Sequence, residues 1–494
     1  MWETRHEGER MTHQVSLRSA QNYDEWRQAA RESDERTGKA AWKKVDASPL
    51  YDHKTIRFRL DELLEIRASG DFRKVLFYVK EGLHGNMGGI GSPALYRHAR
   101  FGTKDLVHQY IEEVASVIEE VAAAPEEDLP LSEKVHVLER SSSCFGRTAL
   151  MFSGAGSLGP FHLGVARALH EQRLLPKVLS GASAGSLVCG VLGTRNDEEL
   201  DELLLGDELG DLFDLLDQEH KIGQQMRTED VIDVIHSLVP DMTFEEAFEH
   251  SGRYINVSVS PSELFQRARL LNAVTSPNAL LREAIQASCA VPGIFRPVTL
   301  AARRVDGTRA PYVRSRTWVD GSVTHDQPRD RLARLYSVNH FISSQANPIV
   351  LWTLRDTNWE NSFASRLWEV QQIATKEWMR ATYPFAVQMT RNIFPLNVAT
   401  RFGYGDATQH YTADINILPK RRFWDPRKLL AVLSEEETLE LIQLGEKATW
   451  PKIEMIRNCT LVSRTLDRVL AECHAELEER GESLPKGASR RAAS

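Results

Sequence analysis

Gly181-Ala182-Ser183-Ala184-Gly185 reads G-x-S-x-G between a short apolar run, Lys177–Ser180, and a longer one that begins at Leu187. A serine hydroxyl is a weak nucleophile unless it is presented clear of its neighbours and set beside a base, and a strand turning sharply into a helix presents it. Such a turn closes only around small residues, and here Gly181 and Gly185 bracket two alanines. The hydroxyl would then stand at a helix N-terminus, where partial positive charge favours a developing anion. Earlier in the chain, Ser153-Gly154-Ala155-Gly156-Ser157-Leu158-Gly159 follows the apolar run Thr148–Phe152. Gly and Ala let the backbone approach a ligand closely, and the N–H groups of such a loop can point at the oxyanion of a tetrahedral intermediate. Gly154, Gly156 and Gly159 also fit the dinucleotide fingerprint G-x-G-x-x-G. That unit, however, wants an acidic residue at the end of its second strand to hold a ribose, and here the second strand ends in the serine turn.

The third signal is Asp320-Gly321-Ser322, after Thr317-Trp318-Val319. Asp-Gly alone marks a turn. Paired with Ser183, Asp320 becomes a candidate general base, able to take the serine proton directly if partly desolvated and within hydrogen-bond reach. A Ser–His–acid triad competes with this dyad, since His325, His340 and His410 follow in the chain, but none sits in a short glycine-flanked loop. His236 and Asp241 form the acyltransferase-like spacing H-x4-D, a match that sixteen histidines make unremarkable by chance.

These residues need elements to hold them. Thr148–Phe152, Lys177–Ser180, Tyr254–Val259 and Thr317–Val319 read as strands. Helices follow the first two, one with Phe161, Val165, Ala168 and Leu169 on a single face and one beginning at Leu187. This alternation over 147–345 predicts an α/β fold, a three-layer α/β/α core with a mostly parallel sheet. The loop and the serine turn belong to one strand–helix–strand unit, so they should meet at the C-terminal edge of the sheet. Helical regions flank this core. In 17–130, Val107, Tyr110, Ile111, Val114, Val117, Ile118 and Val121 form one apolar stripe of a helix packed on its neighbours. In 346–480 the pattern is again helical, apart from a short strand at Ile415–Leu418, with Trp359, Phe363, Trp368, Trp378, Tyr383, Phe385 and Phe394 concentrated before it. Residues 1–16 and 481–494 read as disordered tails.

The chain has 494 residues with a net charge of -8, which argues against an extended basic surface for nucleic acid. Its five cysteines form no C-x-x-C pair and no Cys/His cluster of zinc spacing, and no calcium loop is present, so neither metal nor cofactor is expected. The scattered cysteines suggest free thiols in a reducing compartment. The polar N-terminus lacks the apolar core of a secretory signal, and no window approaches the roughly 20 apolar residues of a membrane span.

At these residues the chain resembles the patatin-like phospholipase family. The resemblance extends over about 150–345 and includes Ser288-Cys289-Ala290-Val291-Pro292-Gly293-Ile294-Phe295. A narrower resemblance, to the triacylglycerol lipases of yeast lipid droplets and plant seeds with their helical N-terminal domain, rests on Tyr23-Asp24-Glu25-Trp26, Trp42-Lys43, Tyr51-Asp52, Gly82-Leu83-His84, Gly102-Thr103-Lys104, Asn339-His340-Phe341-Ile342 and Asp414-Ile415-Asn416-Ile417. It implies Ser183 as nucleophile, Asp320 as base without a histidine, Gly154, Ala155 and Gly156 as oxyanion loop, and Gly159, Gly181, Gly185 and Gly321 as motif glycines. Leu158 stands where many patatins carry Arg, Ala155-Gly156 where those lipases read Gly-Ala, and Ser322 where the broad family has Gly or Ala. The implied activity is hydrolysis of lipid acyl esters through an acyl-enzyme, in the cytoplasm, at the surface of a membrane or lipid droplet. Acyl transfer on the same dyad and non-catalytic binding to lipid surfaces, the latter through the aromatic segment 359–394, are the alternatives.

Overall fold

A computed structural model describes residues 17, 19–81, 83–206, 222–263, 268–322, 326–351, 413–420 and 428–481. Residues 1–16 and 482–494 and the aromatic segment 359–394 lie outside the described residues, as do His325 and His410. The chain forms two compact units, one comprising 1–148, 337–340 and 450–494, the other 149–336 and 341–449.

The first unit is helical. Its helix Asp105–Ala123 carries the apolar stripe read from the sequence, and all seven of those side chains are buried. The helices Leu131–Phe145 and Ile453–Glu479 pack against it. The last of these contributes Ile456, Leu466 and Val469 to the core, although more than three hundred residues separate it from its partner. Two of the motif fragments in the N-terminal region meet here. Lys104 is buried and donates to the carbonyls of Trp42 and Val45, both at 2.6 Å, with its ammonium 3.9 Å from the Trp42 ring centroid. A buried ammonium demands such partners, so these fragments hold the helical unit together.

The second unit is built on the sheet. The strands of the chain, in order, are β1 (Arg147–Phe152), β2 (Val178–Gly181), β3 (Tyr254–Pro261), β4 (Arg269–Leu271), β5 (Ala301–Arg303), β6 (Arg309–Pro311), β7 (Trp318–Asp320), β8 (Val338–Ser344) and β9 (Ile415–Ile417). The spatial order is β4-β3-β2-β1-β8-β9, with β7 also paired to β3 and β5–β6 forming a separate hairpin. β1/β2, β2/β3 and β8/β9 are parallel, whereas β4 and β7 join β3 antiparallel. The strands near the centre are buried along nearly their whole length, as strands covered on both faces must be, even where β2 and β3 carry Ser180, Asn256, Ser258 and Ser260.

Four helices bear on the site: α1 (Pro160–Glu171), α2 (Ala184–Gly193), α3 (Leu281–Cys289) and α4 (Glu435–Thr449). α1 packs against α4 with backbones in close approach, since a Cβ on Gly164 would overlap the Ile442 carbonyl and one on Gly445 the Phe161 carbonyl. Arg167 and Glu446 pair across this contact at 3.1 Å. No described helix is long and apolar enough to cross a membrane.

Candidate active site

The turn from β2 into α2 is as sharp as its composition demands. Ser183 sits at φ 52°, ψ -130°, a region L-residues with a side chain avoid. Gly181 and Gly185 leave no room for a side chain. A Cβ on Gly181 would overlap the Gly185 carbonyl, and one on Gly185 would stand 2.5 Å from the Phe152 oxygen and 2.7 Å from that of Ser153. The strained peptide is held from outside. Ser183 N–H donates to Ser288 Oγ at 2.9 Å, and that hydroxyl donates onward to the Ser258 carbonyl at 2.8 Å. Ser288, within the segment Ser288–Phe295, thus ties the serine turn to β3 from α3.

Asp320 reaches the same place by an arrangement not evident in the sequence. At Val259 one edge of β3 is taken by Arg269 of β4, so β7 lies on the other edge, the one β2 occupies. Gly181 pairs with Val257 and Asp320 with Val259, so β2 and β7 arrive head to head along β3. Two residues of strand separate their rows, ~7 Å. Asp320 is buried, its N–H bound to the Ala290 carbonyl at 3.0 Å and its Oδ1 accepting the Ser322 N–H at 2.8 Å. Gly321 is enforced by the Ser258 carbonyl beneath it. Cys289 lies beside this carboxylate. Burial, then the Asp320 charge, pushes its thiol up to about 12, so near neutral pH it is no rival nucleophile.

The glycine loop closes the site. A Cβ on Gly154 would stand 3.0 Å from Ser322 Cβ and 3.5 Å from Ser183 Cβ, which puts this residue between the nucleophile turn and the aspartate turn. Gly156 has φ 53°, and a Cβ there would overlap the Leu429 carbonyl. A Cβ on Gly159 would stand 3.2 Å from Ala184 Cβ. The N–H groups along the loop are not equivalent. Gly154 N–H donates to Asp326 Oδ1 at 2.8 Å, Ser157 N–H to the Leu429 carbonyl at 2.9 Å, and Leu158 N–H to that of Ala155 at 3.1 Å. Those of Ala155, Gly156 and Ala184, the first residue of α2, have no acceptor among the described residues. Leu158, where many patatins have Arg, is buried.

The structure thus brings Ser183, Asp320, Gly154, Ala155 and Gly156 to one sheet edge. It does not bring His340 there. That ring lies 3.1 Å from Thr148 Oγ1, at the other end of β1, four residues or ~13 Å of strand from Phe152. Asp241 pairs with Arg303 and Arg309. Sequence reasoning did not single out Asp326 or His162. His162 is wholly buried, with Nε2 3.0 Å from the Ser153 carbonyl and Nδ1 2.7 Å from Ser344 Oγ. Since a carbonyl only accepts, Nε2 carries the proton and Nδ1 takes the Ser344 hydrogen. Burial lowers this imidazole to about 4, so it is neutral near pH 7. Among the described residues no group of three or more His, Cys, Asp or Glu side chains is placed to hold a metal ion.

Comparison with known proteins agrees with this architecture. Residues 2–143 match a domain of unknown function, DUF3336, and residues 150–332 match the patatin-like phospholipase family. The chain is 32% identical to triacylglycerol lipase 4 of Saccharomyces cerevisiae over 92% of its own length and 52% of that protein's. It is 31% identical to triacylglycerol lipase ptl3 of Schizosaccharomyces pombe over 95% and 98% of the two chains. For triacylglycerol lipase SDP1L of Arabidopsis thaliana the identity is 30%, over 89% of this chain and 56% of that one. It therefore spans little more than half of two of these relatives and nearly all of the third. The crystal structure of VipD from Legionella pneumophila is similar at a TM-score of 0.33 and 12% identity, covering 69% of this chain and 78% of that one. With a relative matched nearly end to end and the glycine loop, serine turn and Asp-Gly turn all inside the matched core, this chain belongs to the patatin-like phospholipase family, with a DUF3336 domain at its N-terminal side.

Proposed function

We propose that this chain hydrolyses acyl esters of glycerolipids, triacylglycerol foremost, through a Ser183–Asp320 dyad. The observation that carries the reading is the head-to-head arrival of β2 and β7 on β3, with Gly154 wedged between the serine and aspartate turns. Ser183 Oγ attacks the ester carbonyl while its proton passes to the Asp320 carboxylate. The carbonyl oxygen becomes an oxyanion, received by the N–H groups of Ala155 and Gly156 and favoured by the N-terminus of α2. Collapse expels the alcohol, which takes the proton from Asp320 and leaves an acyl-serine. Water then gives its proton to Asp320 and attacks; the second collapse returns that proton to Ser183 and frees the fatty acid. No histidine is required, because the carboxylate serves as acceptor and donor in both halves.

The names of the relatives favour a triacylglycerol, and such a substrate implies work at a lipid surface. The test is a panel of emulsified triacylglycerol, phospholipid and lysophospholipid with product analysis, run on the purified chain and on Ser183→Ala. Fatty acid released from triacylglycerol, and lost in the variant, is the expected result. Release that survives in Ser183→Ala would contradict the dyad, and acyl products on a lipid acceptor in place of free fatty acid would make the enzyme a transacylase.

A further inference from the structure

Gly154 has little room for a side chain, because Ser322 and Ser183 crowd the place of its Cβ. A glycine is also the residue with most backbone freedom to lose. An oxyanion site must be rigid before the reaction begins, since donors that reorient during the step surrender the advantage of being preset. Something outside the loop must therefore supply the rigidity that Gly154 lacks.

The structure shows what does. Gly154 N–H donates to Asp326 Oδ1 at 2.8 Å, from a carboxylate that is 1% exposed and lies 172 positions away in the chain. The Gly154 carbonyl accepts the Ser153 hydroxyl at 3.1 Å. Ser153 is fixed in turn: its N–H donates to the Ser344 carbonyl at 3.1 Å, its carbonyl accepts from His162 Nε2 at 3.0 Å, and its Oγ accepts the Ala346 N–H at 3.0 Å. Each main-chain polar group of Ser153 and Gly154 thus has a buried partner. The next two N–H groups, of Ala155 and Gly156, have none among the described residues. An amide bound to a carboxylate cannot also serve an oxyanion, so Asp326 removes Gly154 from the donor set while it fixes the peptide from which the two remaining donors follow.

We infer that Asp326 is a positioning residue for acyl transfer: by accepting the Gly154 N–H it sets the glycine loop so that Ala155 and Gly156, and not Gly154, face the oxyanion, while His162 holds the preceding carbonyl. The inference rests on the proposed role of Ser183. What matters is a hydrogen-bond acceptor at the Oδ1 position. The charge is secondary, and Asp326 is not a base.

Three variants separate these properties. Asp326→Ala removes the acceptor, Asp326→Glu keeps the charge but displaces the acceptor by one methylene, and Asp326→Asn keeps an acceptor in place and removes the charge. With a soluble short-chain ester, Asp326→Ala and Asp326→Glu should lose about 10- to 100-fold in kcat with KM little changed, the scale of a misplaced or missing oxyanion donor. Asp326→Asn should recover most of that loss. Fluorophosphonate labelling of Ser183, which also builds charge on an oxygen in the loop, should slow in parallel, and circular dichroism should show a folded chain. If the alanine variant does not fold, the glutamate variant decides. Asp326→Asn as inactive as Asp326→Ala would make the residue a base or a required charge, and kcat within threefold of wild type in all three variants would leave it no role; either overturns the inference. Failure of the wild-type chain to label at Ser183 would instead overturn the nucleophile assignment, and the inference with it.

Discussion

The site contains two turns of nearly the same composition that are built by opposite means. The serine turn, 181–185, is dictated locally: the Gly185 carbonyl forbids a side chain at Gly181, and the carbonyls ending β1 forbid one at Gly185. Ser183 at φ 52° is the consequence. The glycine loop, 153–156, is dictated from afar. It takes its shape from Asp326, His162, Ser344, Ala346 and the Leu429 carbonyl, brought in by α1, β8 and three loops. Small residues in the first turn answer to backbone of the turn itself and of the end of the neighbouring strand β1. In the second, Gly154 makes way for the side chains of Ser322 and Ser183, and Gly156 for the Leu429 carbonyl from a distant part of the chain. The two turns should therefore fail differently when altered.

The largest effect is expected at the serine turn. Ser183→Ala should abolish hydrolysis, a loss of roughly a millionfold where nucleophile and base act as one unit, with the fold intact by circular dichroism. Ser183→Gly should be as inactive but more stable, by about 1 kcal/mol, because the positive φ then costs nothing; a raised thermal midpoint checks this. Gly185→Ala should lower both stability and activity, by roughly 2–4 kcal/mol in stability, because its Cβ meets fixed backbone oxygens. Gly154→Ala meets side chains that can give way, so it should cost about 1 kcal/mol or less in stability and still reduce kcat. Equal thermal shifts in these last two variants would erase the distinction between the turns.

Ser288→Ala comes next. It leaves the Ser183 N–H without its acceptor and the Ser258 carbonyl without its donor, at a cost of about 1–3 kcal/mol. Near neutral pH the smallest effect is on pH dependence. Burial holds His162 at about 4 against an ordinary value of 6.5. Between these values the unfolded chain binds a proton that the folded chain refuses, so the contribution is complete above pH 6.5 and is lost as pH falls toward 4. At about 1.4 kcal/mol per unit this amounts to roughly 3.5 kcal/mol once pH falls below 4, and to well under ~1 kcal/mol near neutral pH. Replacing His162 by Gln, which can still donate to the Ser153 carbonyl, should flatten that part of the midpoint-against-pH curve.

The same contrast explains what could be read from the sequence. The serine turn was legible because its requirement for small residues is local, and so were the strands β1, β2 and β3 and the stripe of the helix Asp105–Ala123. The resemblance placed the glycine loop and Asp320 in the family's pattern. The antiparallel entry of β7 was not legible, since a three-residue strand carries no sign of its direction. Nor were Asp326 and His162. An acidic residue after a turn and a histidine on an apolar helix face look ordinary until the fold sets them against Gly154 and Ser153. The association of Ile453–Glu479 with helices of the N-terminal region is equally nonlocal, for one apolar stripe does not name its partner.

The dyad is tested most directly by the rate at which a fluorophosphonate modifies Ser183, followed by mass spectrometry of the labelled peptide. Wild type should carry one adduct, on Ser183. Asp320→Asn should slow its formation by about 100-fold or more, on the scale of general-base assistance, whereas His340→Gln should leave the rate within threefold. Labelling of Asp320→Asn at the wild-type rate, or loss of labelling in a folded His340, His325 or His410 variant, would contradict the dyad and restore a histidine to the mechanism.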